Sequence, residues 1–130
     1  MSDRVTYEFA IIRLVPKVER GEFMNIGVIL FSKRKAYLDM KIHLDVDRIK
    51  SFSNNVDIDE VKNYLEAWHK VCSGGGEAGR IGTLSLPERL RWLTATRSTI
   101  IQSSEVHPGV TENPESELED LFRRLVILED

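Results

Sequence analysis

From Val5 to Val15, and again from Met24 to Ser32, β-branched, aromatic and aliphatic residues occupy both alternate positions of the chain. Successive side chains of a strand point to opposite faces, so each run predicts a strand covered on both sides. Between them, Lys17 to Phe23 is short, polar and contains Gly21, which makes an antiparallel hairpin the economical link. Gly27, inside the second run, predicts a bulge or a close backbone contact. After the turn Lys33-Arg34-Lys35 the pattern changes. Ala36, Leu38, Met40, Ile42 and Leu44 alternate with Tyr37, Asp39, Lys41 and His43, the period of a strand with one face in the core and one in water. The chain up to Leu44 therefore predicts a three-stranded meander.

Helical spacing follows. Asp45 to Phe52 predicts a short helix capped by Asp45 or Asp47. Beyond Asp57, the steps between Ile58, Val61, Leu65, Trp68 and Cys72 place them on one face of a longer helix, which Gly74-Gly75-Gly76 ends. Ser85 and Pro87 mark the start of another helix through Leu93. Ser98 to Val106 predicts a fourth strand, and Asn113-Pro114 opens a last helix with Leu118, Leu121, Phe122, Leu125 and Val126 on its inner face. Its acids come early and its arginines late, as the helix dipole prefers. The expected fold class is α+β, an antiparallel sheet of about four strands opening with the meander, with the middle and C-terminal helices packed mainly on one face. No linker divides the chain, so residues 1–130 are expected to form a single domain.

Composition narrows the setting. With 42% apolar and 30% charged residues the chain has the balance of a soluble globular protein. The longest apolar run, Ile26 to Phe31, is far short of the roughly 18 residues that suggest a bilayer span, so no membrane association is expected. The N-terminus lacks the charged-then-apolar order of a secretory signal, and Cys72 has no second cysteine to pair with; both fit a cytoplasmic protein. A formal net charge of −3 gives no global attraction to nucleic acid or anionic lipid.

Most candidate chemistry has a plainer structural explanation. Gly74-Gly75-Gly76-Glu77-Ala78-Gly79 matches G-x-G-x-x-G, but it trails a helix instead of joining a strand to one, so no nucleotide cofactor is expected. His43, Asp45 and Asp47 could hold a divalent metal if the third strand ran on, yet solvent exposure and helix capping account for all three. His69 and Cys72 share a helix face without a third ligand. Lys33-Arg34-Lys35, with Lys41, forms a solvated turn without interleaved aromatics, so nucleic acid is not expected. Ser98, Ser103, Ser104 and Cys72 have no evident base and acid beside them, and no catalytic residue is assigned.

What remains is the hairpin loop. Arg20, Glu22 and Asn25, with Arg13 and Arg97, supply bidentate donors, a carboxylate and an amide. An ion pair from Glu22 to Arg97 that pins the loop is the structural account; a surface for a ligand or partner is the functional one. Two functions follow. The preferred one is a non-catalytic binding or accessory module. The alternative is a small metal-assisted enzyme on a phosphorylated or nucleic-acid substrate, with Arg20 and Arg97 on the anion, Glu22 as base, and His43 with Asp45 holding the metal.

Tyr7, Arg13-Leu14-Val15-Pro16 and Arg20-Gly21-Glu22-Phe23-Met24-Asn25-Ile26-Gly27-Val28 also carry a likeness, with weaker support from Asp45-Val46-Asp47-Arg48 and Thr96-Arg97-Ser98. In these blocks the chain resembles a bacterial family catalogued as domain of unknown function 3037, over roughly Val5 to Val126. The resemblance implies no activity and no catalytic position. It implies an accessory role beside a kinase similar to the HipA toxin kinase.

Overall fold

The computed structural model describes residues 3–127. Strand β1 (Val5–Leu14) pairs antiparallel with β2 (Met24–Ser32), and β2 pairs antiparallel with β3 (Tyr37–Ile42), so the meander forms as its hydrophobic pattern requires. The other edge of β1 is shared. β4 (Ile101–Ser103) covers Ile12 to Leu14, and β5 (His107–Thr111) covers Val5 to Phe9.

The fourth strand expected over Ser98 to Val106 is thus shorter, and a further strand follows it. Ser104 causes the break: its N–H donates to Ile11 O at 2.8 Å while its Oγ accepts from Ile11 N–H at 2.8 Å, so a side chain replaces one rung of the backbone ladder. Pro108 and Gly109 hid β5, since both residue types are depleted in strands; an edge position tolerates them.

A bulge in β2 sets which residues face which way. Ile12 lies opposite Gly27, the next residue Arg13 lies opposite Asn25, and Ile26 is left over. Gly27 meets the close backbone approach that its sequence position predicted, for a Cβ there would lie 2.7 Å from Lys41 O. The extra residue shifts the alternation by one. Met24, Ile26, Ile29 and Phe31 therefore face one core, while Val28 and Leu30 face the other, on the side where Asn25 and Arg13 also lie.

The helices are α1 (Val46–Phe52), α2 (Ile58–Ser73), α3 (Leu86–Thr94) and α4 (Pro114–Phe122), with a π-turn over Arg123–Ile127 continuing the last. Asp45, Asp57, Ser85 and Asn113 cap them, each side chain accepting from a first-turn N–H that no backbone carbonyl can reach. Three helices pack on one face, burying Ile49, Val61, Leu65, Trp68, Leu90 and Leu93 against the sheet. The C-terminal helix does not join them. α4 lies on the opposite face, where Leu118 and Leu121, with Val126 of the π-turn, meet Tyr7, Val28 and Leu30. The reason is the two-sided apolar pattern of β2, which leaves Val28 and Leu30 to be covered from the second face. Among the described residues no helix is long and apolar enough to cross a membrane.

Candidate functional site

The hairpin between β1 and β2 is not a tight two-residue turn. Val18–Arg20 make one 3-10 turn, and Gly21, at φ +72°, donates its N–H to Val18 O at 3.2 Å and reverses the chain. Glu22 then points back at Arg20, Oε1 to Nη2 at 2.6 Å, with both side chains more than half exposed at 55% and 62%. Facing the loop is the end of α1. Pro16, Lys17, Arg20 and Glu22 from the hairpin, with Phe52, Ser53 and Asn55 beyond them, enclose a cavity of about 100 Å³. On the other side of Phe52 lies a wider groove of about 510 Å³, lined by Phe23, Met24, Asn25, Arg48, Ser51 and Leu125. Phe52 is the ridge between them.

Two large apolar side chains are in water here, Phe23 at 45% and Phe52 at 37% exposure. The guanidinium of Arg13 lies 4.0 Å over the Phe23 ring, a cation–π contact that fixes one face of that phenylalanine. Opposite Arg13 across the strands, Asn25 donates from Nδ2 to Leu125 O at 3.2 Å and ties the hairpin to the π-turn. Arg13 Nε and Asn25 Oδ1 are buried without a hydrogen-bond partner among the described residues. An unmet buried polar atom costs about 1–3 kcal/mol.

Arg97 does not belong to this cluster. Its guanidinium donates to Leu93 O at 3.0 Å, Ala95 O at 3.2 Å and Trp92 O, and it is sandwiched between the rings of Trp68 and Trp92 at 4.9 and 4.5 Å. It closes the C-terminus of α3, where free carbonyls attract a cation, and burial lowers its pKa. The expected Glu22–Arg97 ion pair is accordingly replaced by the local Arg20–Glu22 pair. Of the five residues singled out from the sequence, Arg20 and Glu22 line the cavity, Asn25 lines the groove and Arg13 sits under Phe23.

Other candidates also resolve into scaffold. The Asp45 carboxylate accepts from Arg48 N–H as the cap of α1, and among the described residues no three His, Cys, Asp or Glu side chains gather as a metal site. Gly75 in the glycine loop donates to Gly82 O at 2.8 Å, an internal turn contact. Ser103 Oγ donates to Ser104 O, and Ser104 Oγ to Glu105 O. Burial pushes the Cys72 thiol up to about 12, with the charge of Asp39 adding to the effect, so no thiolate is at hand near neutral pH.

One structural cation went unnoticed in the sequence. Arg89 is 9% exposed and donates from Nη1 to Val71 O and Cys72 O, each at 3.0 Å, closing the end of α2 from the neighbouring helix. Its signal was the spacing Leu86, Arg89, Leu90, Leu93, which puts a charge within an apolar stripe.

With the architecture in place, one comparison decides the lineage: a family model described as Protein of unknown function (DUF3037) matches residues 9–126. The chain belongs to this family. The match runs from β1 into the π-turn after α4, so the family pattern takes in most of both cores and the whole hairpin face. No curated protein and no solved structure matches the chain.

Proposed function

We propose that this chain is a non-catalytic binding module of the bacterial cytoplasm, and that a protein partner docks on the face made by the β1–β2 hairpin and the end of α1. The observation that carries the reading is Phe52, an exposed aromatic ridge between two depressions, held on a capped helix beside a second exposed phenylalanine. Aromatic side chains that a partner can bury near the centre of an interface are enriched among the residues that dominate protein association. The chemistry of the face agrees with binding: it offers an ion pair, an amide and apolar area, while the serine hydroxyls near β4 are bonded to backbone. The metal-assisted alternative needs Arg20, Arg97, Glu22, His43 and Asp45 around one substrate. Arg97 is bound to α3 and Asp45 to the first turn of α1.

A kinase similar to the HipA toxin kinase, the partner implied by the family resemblance, is the first protein to test. The kinase and the tagged chain are co-expressed and purified, once with the parent and once with Phe52→Asp. The expected result is a stable complex with the parent and at least about tenfold weaker association for the variant, with thermal unfolding unchanged. Equal binding by both forms overturns the assignment of this face. Recovery of the bare chain alone from native cells, under several conditions, overturns the module itself.

A further inference from the structure

We infer that the groove beside Phe52 receives an acidic peptide segment with an apolar anchor; this rests on the docking face proposed above and names the chemistry of its partner. Charge is the first ground. Among the described residues, Lys17, Arg20 and Arg48 line the two depressions against a single carboxylate, Glu22, and that carboxylate is engaged by Arg20. Lys17 and Arg48 make no ion pair among the described residues. A fourth cation, Arg13, is stacked on Phe23. The positive balance of the lining, flanked by the exposed carboxylates of Glu19, Asp45 and Asp47, sits on a chain whose formal net charge is −3, so the lining is where an acidic segment meets opposite charge.

The apolar floor is the second ground. Phe23, Met24, Phe52 and Leu125 bound the groove, and among the described residues Arg48 is its only charged lining residue. A side chain such as Leu or Phe placed there buries apolar area on several sides while a flanking carboxylate reaches Arg48. Nucleic acid fits less well. It needs cations spaced along a backbone and free aromatic faces for stacking, whereas Arg13 already occupies one face of Phe23.

The test is fluorescence anisotropy with a short labelled peptide holding Phe and Leu among Asp and Glu. Three controls accompany it: the same peptide with Lys for the acids, the same with Ser for the apolar residues, and a labelled single-stranded oligonucleotide. The acidic apolar peptide is expected to bind the parent, and to bind Arg48→Glu and Phe52→Ser at least about tenfold more weakly. Both controls of altered sequence are expected to lose binding by a similar factor. Arg48 is exposed, so its substitution separates loss of binding from loss of folding. Binding unchanged by Arg48→Glu overturns the inference. So does tighter binding of the oligonucleotide, or self-association abolished by Arg48→Glu with no peptide bound. If the co-expressed kinase needs Phe52 while the acidic peptide fails to bind, this inference falls and the docking face stands. If neither depends on Phe52, both fall.

Discussion

Arg89 and Arg97 are held by helix carbonyls, whereas Arg20 and Arg48 stand in water beside a cleft. The contrast separates two uses of one side chain. A guanidinium withdrawn from water needs acceptors, and the open end of a helix offers them to the Nη groups of buried Arg89 and half-buried Arg97, although Arg89 Nε is left without a partner among the described residues; this pair serves stability. The exposed pair has little to give the fold, because ion pairs in water contribute only about 0–1 kcal/mol. Its interaction energy is realised when a partner removes the surrounding water.

The buried side of the contrast breaks most visibly at Arg89. Arg89→Ala removes two charge-assisted hydrogen bonds and reopens the end of α2, at an expected loss of about 2–4 kcal/mol in urea unfolding. A loss under about 0.5 kcal/mol would place Arg89 with the exposed set. Gly74 sharpens the same point. It adopts φ +82° and ψ 168°, a region nearly closed to residues with a Cβ, and an added Cβ would sit 2.4 Å from Arg89 Nη1. Gly74→Ala should therefore cost about 1–3 kcal/mol. In an Arg89→Ala background the steric part of that cost disappears, and a double-mutant cycle should show coupling of at least about 0.5 kcal/mol. Strict additivity would mean that the two residues act separately.

Alkaline pH acts on Cys72 in the same buried corner and on half-buried Tyr37, which packs against the other core. The Cys72 thiol moves from 9.0 to about 12, chiefly by burial, and the Tyr37 phenol moves from 10.0 to about 12 for the same leading reason. Both groups are neutral when protonated, so the folded state keeps protons that the unfolded state gives up. Their contribution to stability is then constant below pH 9, falls as pH rises through the interval up to about 12, and levels once the folded groups also ionise. Cys72→Ala should move the onset toward the ordinary tyrosine range near pH 10. Thermal unfolding followed from neutral to alkaline pH measures this, and an onset unmoved by Cys72→Ala would show that the thiol contributes nothing.

Much of this fold could be read from side-chain parity. The both-sided apolar runs of β1 and β2 gave the hairpin, the strict alternation from Ala36 to Leu44 gave β3, and the steps from Ile58 to Cys72 gave α2. Two things resisted. β5 contains Pro108 and Gly109, which carry no strand preference and owe their conformation to pairing with Tyr7 and Glu8. The face of α4 depends on which side of β2 is still uncovered, a tertiary matter that periodicity does not encode. At the candidate site, Arg20 and Glu22 were visible because the chain itself brings them together. The partner of Arg97 was not, since the choice between a distant carboxylate and its own helix carbonyls is made by the path of the chain after α3. Phe52 was missed as a surface residue for a related reason: on a short helix it looks like core, and only the packing of α1 turns it outward.

The smallest predicted effect tests the exposed side of the comparison. Arg20→Ala and Glu22→Ala each remove one half of a pair whose side chains are 62% and 55% exposed, so water replaces what is lost. Either change should alter folding stability by no more than about 0.5 kcal/mol, and salt should do little to the parent at this site. Binding should respond differently. Glu22→Ala leaves Arg20 without its carboxylate at the rim of the cavity and adds net positive charge, so an acidic peptide should associate faster, most clearly at low ionic strength. Arg20→Ala should slow association. Urea unfolding and stopped-flow association on the same two proteins supply both readings. A stability loss above about 1.5 kcal/mol for either variant would mean that the loop pair holds the hairpin together, as Arg89 holds the end of α2, and that the division drawn between the two sets of arginines is false.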